Sequence, residues 1–95
     1  MTKVAILFHD QEIATLFAEL SKAKGAVARI VESTKQIGLS EKIITEASFI
    51  DSIPEGRYES TLLVSNGQEF PQFNNTLRRP LTEGKVIKAL SQLLD

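Results

Sequence analysis

The sequence predicts a single α/β domain built on a mostly parallel sheet of roughly four or five strands. Three observations carry that prediction. Val4-Ala5-Ile6-Leu7-Phe8 is a continuous apolar run near the amino end, and such runs mark strands buried on both faces of a parallel sheet. It leads into an amphipathic helix and then a second apolar run, which together make a βαβ unit with a right-handed crossover. The chain also ends on a well-marked helix, so strands and helices alternate from end to end.

The elements follow in order. His9-Asp10 breaks the first strand, and Asp10 suits an N-cap because its carboxylate accepts from unpaired N–H groups of the first turn. Ile13, Leu16, Phe17 and Leu20 then recur at helical spacing. Gly25 stops the helix after Lys22 and Lys24, which complement its negative end. Ala26 to Val31 is the second strand. Residues 33–40 read as a loop broken by Gly38. Ser40 can cap a helix through Glu41, Ile43, Ile44 and Ala47, though the β-branched run Ile43-Ile44-Thr45 weakens that helix. Residues 33–57 therefore read either way.

Pro54-Glu55-Gly56 forms a turn. Tyr58 to Val64 is a third strand, closed by Asn66-Gly67. Residues 67–75 have no period and contain Pro71, so they form an irregular connection. Thr76 to Arg79 is a short last strand before Pro80. Thr82 caps the terminal helix, Leu81 staples onto Val86, and Val86, Ile87, Leu90, Leu93 and Leu94 make its apolar stripe.

Composition narrows the function classes. A chain of 95 residues fits one domain (1–95) at about 100–200 residues per domain, and it can bury roughly 65% of its unfolded surface. Eleven basic against twelve acidic residues give a net charge of −1, which offers no basic face for nucleic acid or an anionic membrane. With no cysteine and one histidine, disulfide scaffolds, thiolate metal sites and multi-histidine sites are excluded. No apolar run approaches the roughly 20 residues of a membrane span. Val4 to Phe8 is too short for a signal-peptide core, so a cytoplasmic protein is expected.

Ligands of open parallel sheets gather at the carboxyl ends of the strands. The candidates there are His9 and Asp10 after the first strand, Ser65 and Asn66 after the third, and Arg78-Arg79-Pro80 after the last. Asp10 reads as a cap or as an acid facing a cation; Ser65 and Asn66 also read as a plain turn. His9 is the one side chain of a type that titrates near neutrality, and hence the one candidate base or phosphoryl acceptor, though the sequence names no group to orient it. His9-Asp10-Gln11-Glu12 contains no glycine, against a dinucleotide fingerprint or a P-loop.

Three segments together resemble the receiver domains of two-component response regulators, and especially their degenerate relatives, the pseudo-receivers. Val4 to Glu12 looks like the first strand and its acidic turn. Glu46-Ala47 through Leu62-Leu63-Val64 looks like the second helix leading to the central strand. Leu77-Arg78-Arg79-Pro80-Leu81 with the Thr82-capped helix resembles the family's Lys-Pro turn and last helix. The resemblance implies a flavodoxin-like, three-layer fold with helices on both faces and a reduced second half, the loss falling between Val64 and Leu77.

It also implies a vestigial pocket of Asp10, Gln11, Ser65 and Arg79. The family's acidic pair binds Mg²⁺; here Gln11 replaces one acid, and a neutral amide is a poor ligand for a hard cation. The acceptor aspartate would fall at Val64 or Ser65, where there is no carboxylate, or in another alignment at Asp51. Arg79 stands for the lysine before proline and keeps the charge without the compact ammonium, and the Arg79–Pro80 bond is expected cis. The resemblance thus implies a non-enzymatic, non-phosphorylated protein-interaction module of a bacterial sensor kinase, with no cofactor or metal and with kinase or receiver domains as partners. A second resemblance, to mannose-type IIA proteins of the sugar phosphotransferase system, would make His9 a phosphohistidine.

Overall fold

Asp10 opens the first helix as its chemistry predicts: its Oδ1 accepts from the Glu12 N–H at 2.9 Å and its carbonyl accepts from the Ala14 N–H at 3.1 Å. The computed structural model describes residues 2–94. Strand β1 is Lys3–Leu7, helix α1 Gln11–Ala23, and strand β2 Val27–Ile30. They are followed by β3 (Lys42–Glu46), β4 (Thr61–Ser65), β5 (Asn75–Arg78) and helix α2 (Glu83–Leu94). Three 3-10 turns, Thr34–Gln36, Ala47–Ser52 and Glu55–Ser60, fill the connections on either side of β3. Gly25 leaves α1 at φ +90° and Gly67 turns the chain after β4 at φ +115°, a backbone region that glycine enters without steric cost.

All five strands are parallel, in the order β2-β1-β3-β4-β5. The helix capped by Ser40 does not form. Lys42 to Glu46 is instead the central strand, paired with β1 from Val4↔Lys42 to Leu7↔Thr45 and with β4 from Ile43↔Thr61 to Glu46↔Val64. The reason is physical. Ile43, Ile44 and Thr45 lose side-chain freedom in a helix and fit a pleated surface, and here all three are buried between two neighbours. The strand expected from Tyr58 starts later, at Thr61, because Tyr58 to Ser60 complete a 3-10 turn.

Both α-helices cover one face. Val4, Ile6 and Phe8 from the β1 end, Ile44 from β3, Leu62 and Val64 from β4, and Leu77 from β5 form one core with Phe17 of α1 and Leu90 of α2. Phe8 and Phe17 stack with ring centroids 5.2 Å apart. The buried side of α1 is Ala14, Phe17, Ala18 and Ser21, one position round from the predicted stripe, so Leu16 is 41% exposed. On α2, Val86, Leu90 and Leu93 are buried as expected, with Ala89, while Ile87 faces outwards.

The opposite face carries two smaller clusters. Ala5, Leu7 and Val31 pack with Ile37 and Phe49, and Ile53, Leu63 and Phe73 pack with Ile50, Tyr58 and Phe70. The third layer is thus present, but its cover is 3-10 turn and loop rather than α-helix. Residues 66–74 hold no helix, as expected, but no strand is missing between Val64 and Leu77, because Val64 lies in β4 and not in the central strand. The lack of α-helix is shared by the β2–β3 and β3–β4 connections, and the sheet keeps its full five strands.

Candidate functional site at the carboxyl edge of the sheet

The chain runs from β1 outwards to β2 and then returns to β3 on the other side of β1. That reversal opens a crevice between the carboxyl ends of β1 and β3, where ligands of such sheets bind. His9 and Asp10 leave β1 on one side of it, and Glu46 is the last residue of β3 on the other. The Glu46 carboxylate Oε2 accepts from the His9 N–H at 2.9 Å. One turn of sheet below, the buried Thr45 hydroxyl donates to the Leu7 carbonyl at 2.8 Å. Two side chains of β3 therefore clamp the end of β1.

The His9 imidazole is stacked on Phe49, with ring centroids 4.5 Å apart. Phe49 belongs to the 3-10 turn directly after Glu46, so the turn that starts at the strand end also supplies the ring under the histidine. Asp10 spends its Oδ1 on the first turn of α1, and Gln11 is the first residue of that helix, exposed to solvent. Among the sequence-predicted residues, His9, Asp10 and Gln11 thus meet at the crevice.

Ser65 and Arg79 lie together at the next strand pair. The buried Ser65 hydroxyl donates to the Gln68 carbonyl at 3.1 Å, and its own carbonyl accepts from the Arg79 N–H at 2.9 Å. Ser65 thus braces the turn that follows β4. The Arg79–Pro80 bond is cis, as the resemblance implied. Lys85 of α2 reaches back under this bend, its Nζ 3.2 Å from the carbonyl oxygens of both Arg78 and Pro80. Arg78 is paired with Glu69 at 2.8 Å, both exposed. Arg79 is exposed, and among the described residues its side chain makes no ion pair.

No protein-family model matches this chain, and no curated protein matches it. Solved structures do. A sensor protein from Polaromonas sp. JS666 superposes with a TM-score of 0.71 at 19% identity, over 99% of this chain and 96% of its own. A response regulator receiver protein from Pseudoalteromonas atlantica gives 0.67 at 12% identity, over 97% and 96%. A response regulator in red light signaling of R. palustris gives 0.57 at 12% identity, over 98% and 91%. The fold is that of a receiver domain.

The receiver topology corrects one placement made from the sequence. The acceptor position was expected at Val64 or Ser65, or else at Asp51. The central strand is β3, so the residue ending it is Glu46. Val64 and Ser65 end β4, the strand beside it, and Asp51 lies exposed in the 3-10 turn beyond Glu46. The central position therefore does hold a carboxylate. The sequence reading missed Glu46 because it assigned Glu46-Ala47 to a helix. Taking Ile43-Ile44-Thr45 as a buried strand would have put that acid at a strand end.

Proposed function

We propose that this chain is a receiver-like module that receives no phosphoryl group and acts by binding another protein of a bacterial signalling system, a sensor kinase being the natural setting. The observation that carries the reading is that the Glu46 carboxylate ties β1 to β3 through Oε2 while, among the described residues, no acidic pair stands ready beside it to hold a cation. Attack on phosphorus needs a free nucleophilic oxygen with a cation beside it to offset the charge of the incoming group. Glu46 commits Oε2 to the His9 N–H, which holds β1 to β3, and its remaining oxygen has no cation site beside it. The two positions that would supply the cation's other ligands are a cap and an amide. Asp10 is turned into its own helix, and Gln11 offers a neutral oxygen that a hard cation binds weakly.

The crevice then serves as a structural tie, and function passes to the outer surfaces of a cytoplasmic module whose partners are kinase or receiver domains. The likeness in fold to a chain described as a sensor protein supports that setting.

Beryllofluoride with MgCl₂, followed by amide NMR, tests the reading. The expected spectrum shows no saturable shift at His9, Asp10, Gln11 or Glu46, and acetyl phosphate adds no mass. Saturable shifts at those amides, or a phosphorylated Glu46, would overturn it. A phosphorylated His9 would instead favour the carrier resemblance. The carboxylates of Asp10 and Glu46 beside that residue oppose the approach of a phosphate.

A further inference from the structure

At the other end of β3 lies a pocket of about 450 Å³, within the range of about 300–1,000 Å³ typical of small-molecule sites. It sits on the face that lacks α-helices. Its floor is apolar: Ile43 of β3, Ile53 from the segment before β4, and Ile37 from the loop before β3. Leu39 stands at its rim 95% exposed, far beyond any other large apolar side chain among the described residues. Two cations, Lys35 and Arg57, belong to the lining, which contains no acid.

The rim loop is pinned. Arg57 Nη1 donates to the carbonyls of Gly38 and Leu39 at 3.2 and 3.0 Å, and its Nη2 to that of Glu41. Glu41 in turn accepts from the Gly38 N–H at 2.6 Å and is held by Arg29. The loop that carries Ile37 and Leu39 is thereby fixed from both sides, so the pocket has a built wall. Among the described residues no carboxylate pairs with Lys35 or Arg57. Lys35 thus has no anionic partner and Arg57 meets only carbonyl dipoles, so no acid of the lining neutralises either cation at the mouth of the apolar pocket.

We infer that this pocket binds a small amphipathic carboxylate, with its apolar body on Ile37, Ile43 and Ile53 under Leu39 and its anionic head at Lys35 and Arg57. An apolar body removes water from the floor and covers Leu39. A carboxylate head supplies an anionic partner to Lys35 and adds a charge to the neutral carbonyls that Arg57 already meets. The inference is independent of what occurs at Glu46.

Octanoate, 1-octanol and acetate, each titrated into the protein and followed by amide NMR, form the test. Octanoate is expected to give saturable shifts at Ile37, Ile43 and Ile53. Octanol should bind at the same amides about tenfold more weakly, the scale of one charged hydrogen bond, and acetate should shift none of them. Lys35 is exposed and can be changed without disturbing the wall, so Lys35→Gln should bring octanoate down towards the affinity of octanol. Equal binding of octanol and octanoate would overturn the inference, as would an absence of saturable shifts at these amides. So would a concentration-dependent dimer that dissociates on Leu39→Ser, since a second copy would then be the occupant.

Discussion

Glu41 joins two parts of the chain that share no regular element. Its carboxylate accepts from Arg29 Nη2 at 2.7 Å and Nε at 2.8 Å, a two-pronged contact, and from the Gly38 N–H at 2.6 Å. The Arg29 guanidinium, with help from the Gly38 N–H and the positive charge of Lys3, holds the Glu41 carboxyl down from 4.5 to about 2 against the opposing effect of its burial. A carboxyl depressed in the folded state stabilises that state above its unfolded pKa and stops doing so as pH falls through its folded pKa. The Glu41 contribution is therefore complete above about pH 4.5 and lost on the way to about pH 2. Glu41→Gln should cost about 1–2 kcal/mol at pH 7, the range for a hydrogen bond to a charged group reduced because Arg29 is half exposed. The deficit should shrink as the pH falls through that window. Urea unfolding at pH 7, 4 and 3 measures it; a deficit that stays constant with pH would show that the charge of Glu41 contributes nothing.

At the scale of elements, α1 makes the sharpest case, because two roles compete for Asp10. As a cap, Asp10 contributes about 1 kcal/mol over alanine, and asparagine does the job equally well. Asp10→Ala should therefore lower stability by about 1 kcal/mol in urea, while Asp10→Asn should stay within about 0.5 kcal/mol of the parent. If both variants lost the same amount, the carboxylate charge rather than the cap would be what α1 needs. This helix was legible in the sequence because its signals are local: a capping acid, helical spacing, and a glycine stop. Strands β1, β2 and β4 were legible as apolar stretches bounded by turn residues and β5 as a short stretch before Pro80, and with them came Asp10, Ser65 and Arg79 at the strand ends. Strand β3 was not. A central strand buried on both faces shows no alternation, and Ser40 before Glu41, Ile43, Ile44 and Ala47 imitates a capped helix. What decides it is pairing with β1 and β4, neither of them near in sequence. Glu46 was lost with β3, so the acid of the candidate site depended on a tertiary contact that no local pattern displays.

For the whole molecule, the two faces of one sheet are held by unlike means. The α1–α2 face is a single cluster that joins four of the five strands to both helices. The other face has two separate clusters beneath 3-10 turns, whose hydrogen bonds have poorer geometry than those of an α-helix and come in short runs. Free energies of local opening range from near zero to the global value and are lowest where cooperative contacts are few. The 3-10 face should therefore open without the rest. In native-state hydrogen exchange, amides of Thr34–Gln36, Ala47–Ser52 and Glu55–Ser60 should exchange through local openings well below the global unfolding free energy. Amides of β1, β3, α1 and α2 near Ile6, Ile44, Phe17 and Leu90, all fully buried, should exchange only through global unfolding. Ile53 and Arg57 lie in or beside the labile segments and line the apolar pocket, so a ligand held there should slow exchange in Glu55–Ser60 and leave α1 unchanged. Equal protection on both faces without ligand would mean that the 3-10 cover is as cooperative as the helices, and that a face without α-helix costs this fold no local stability.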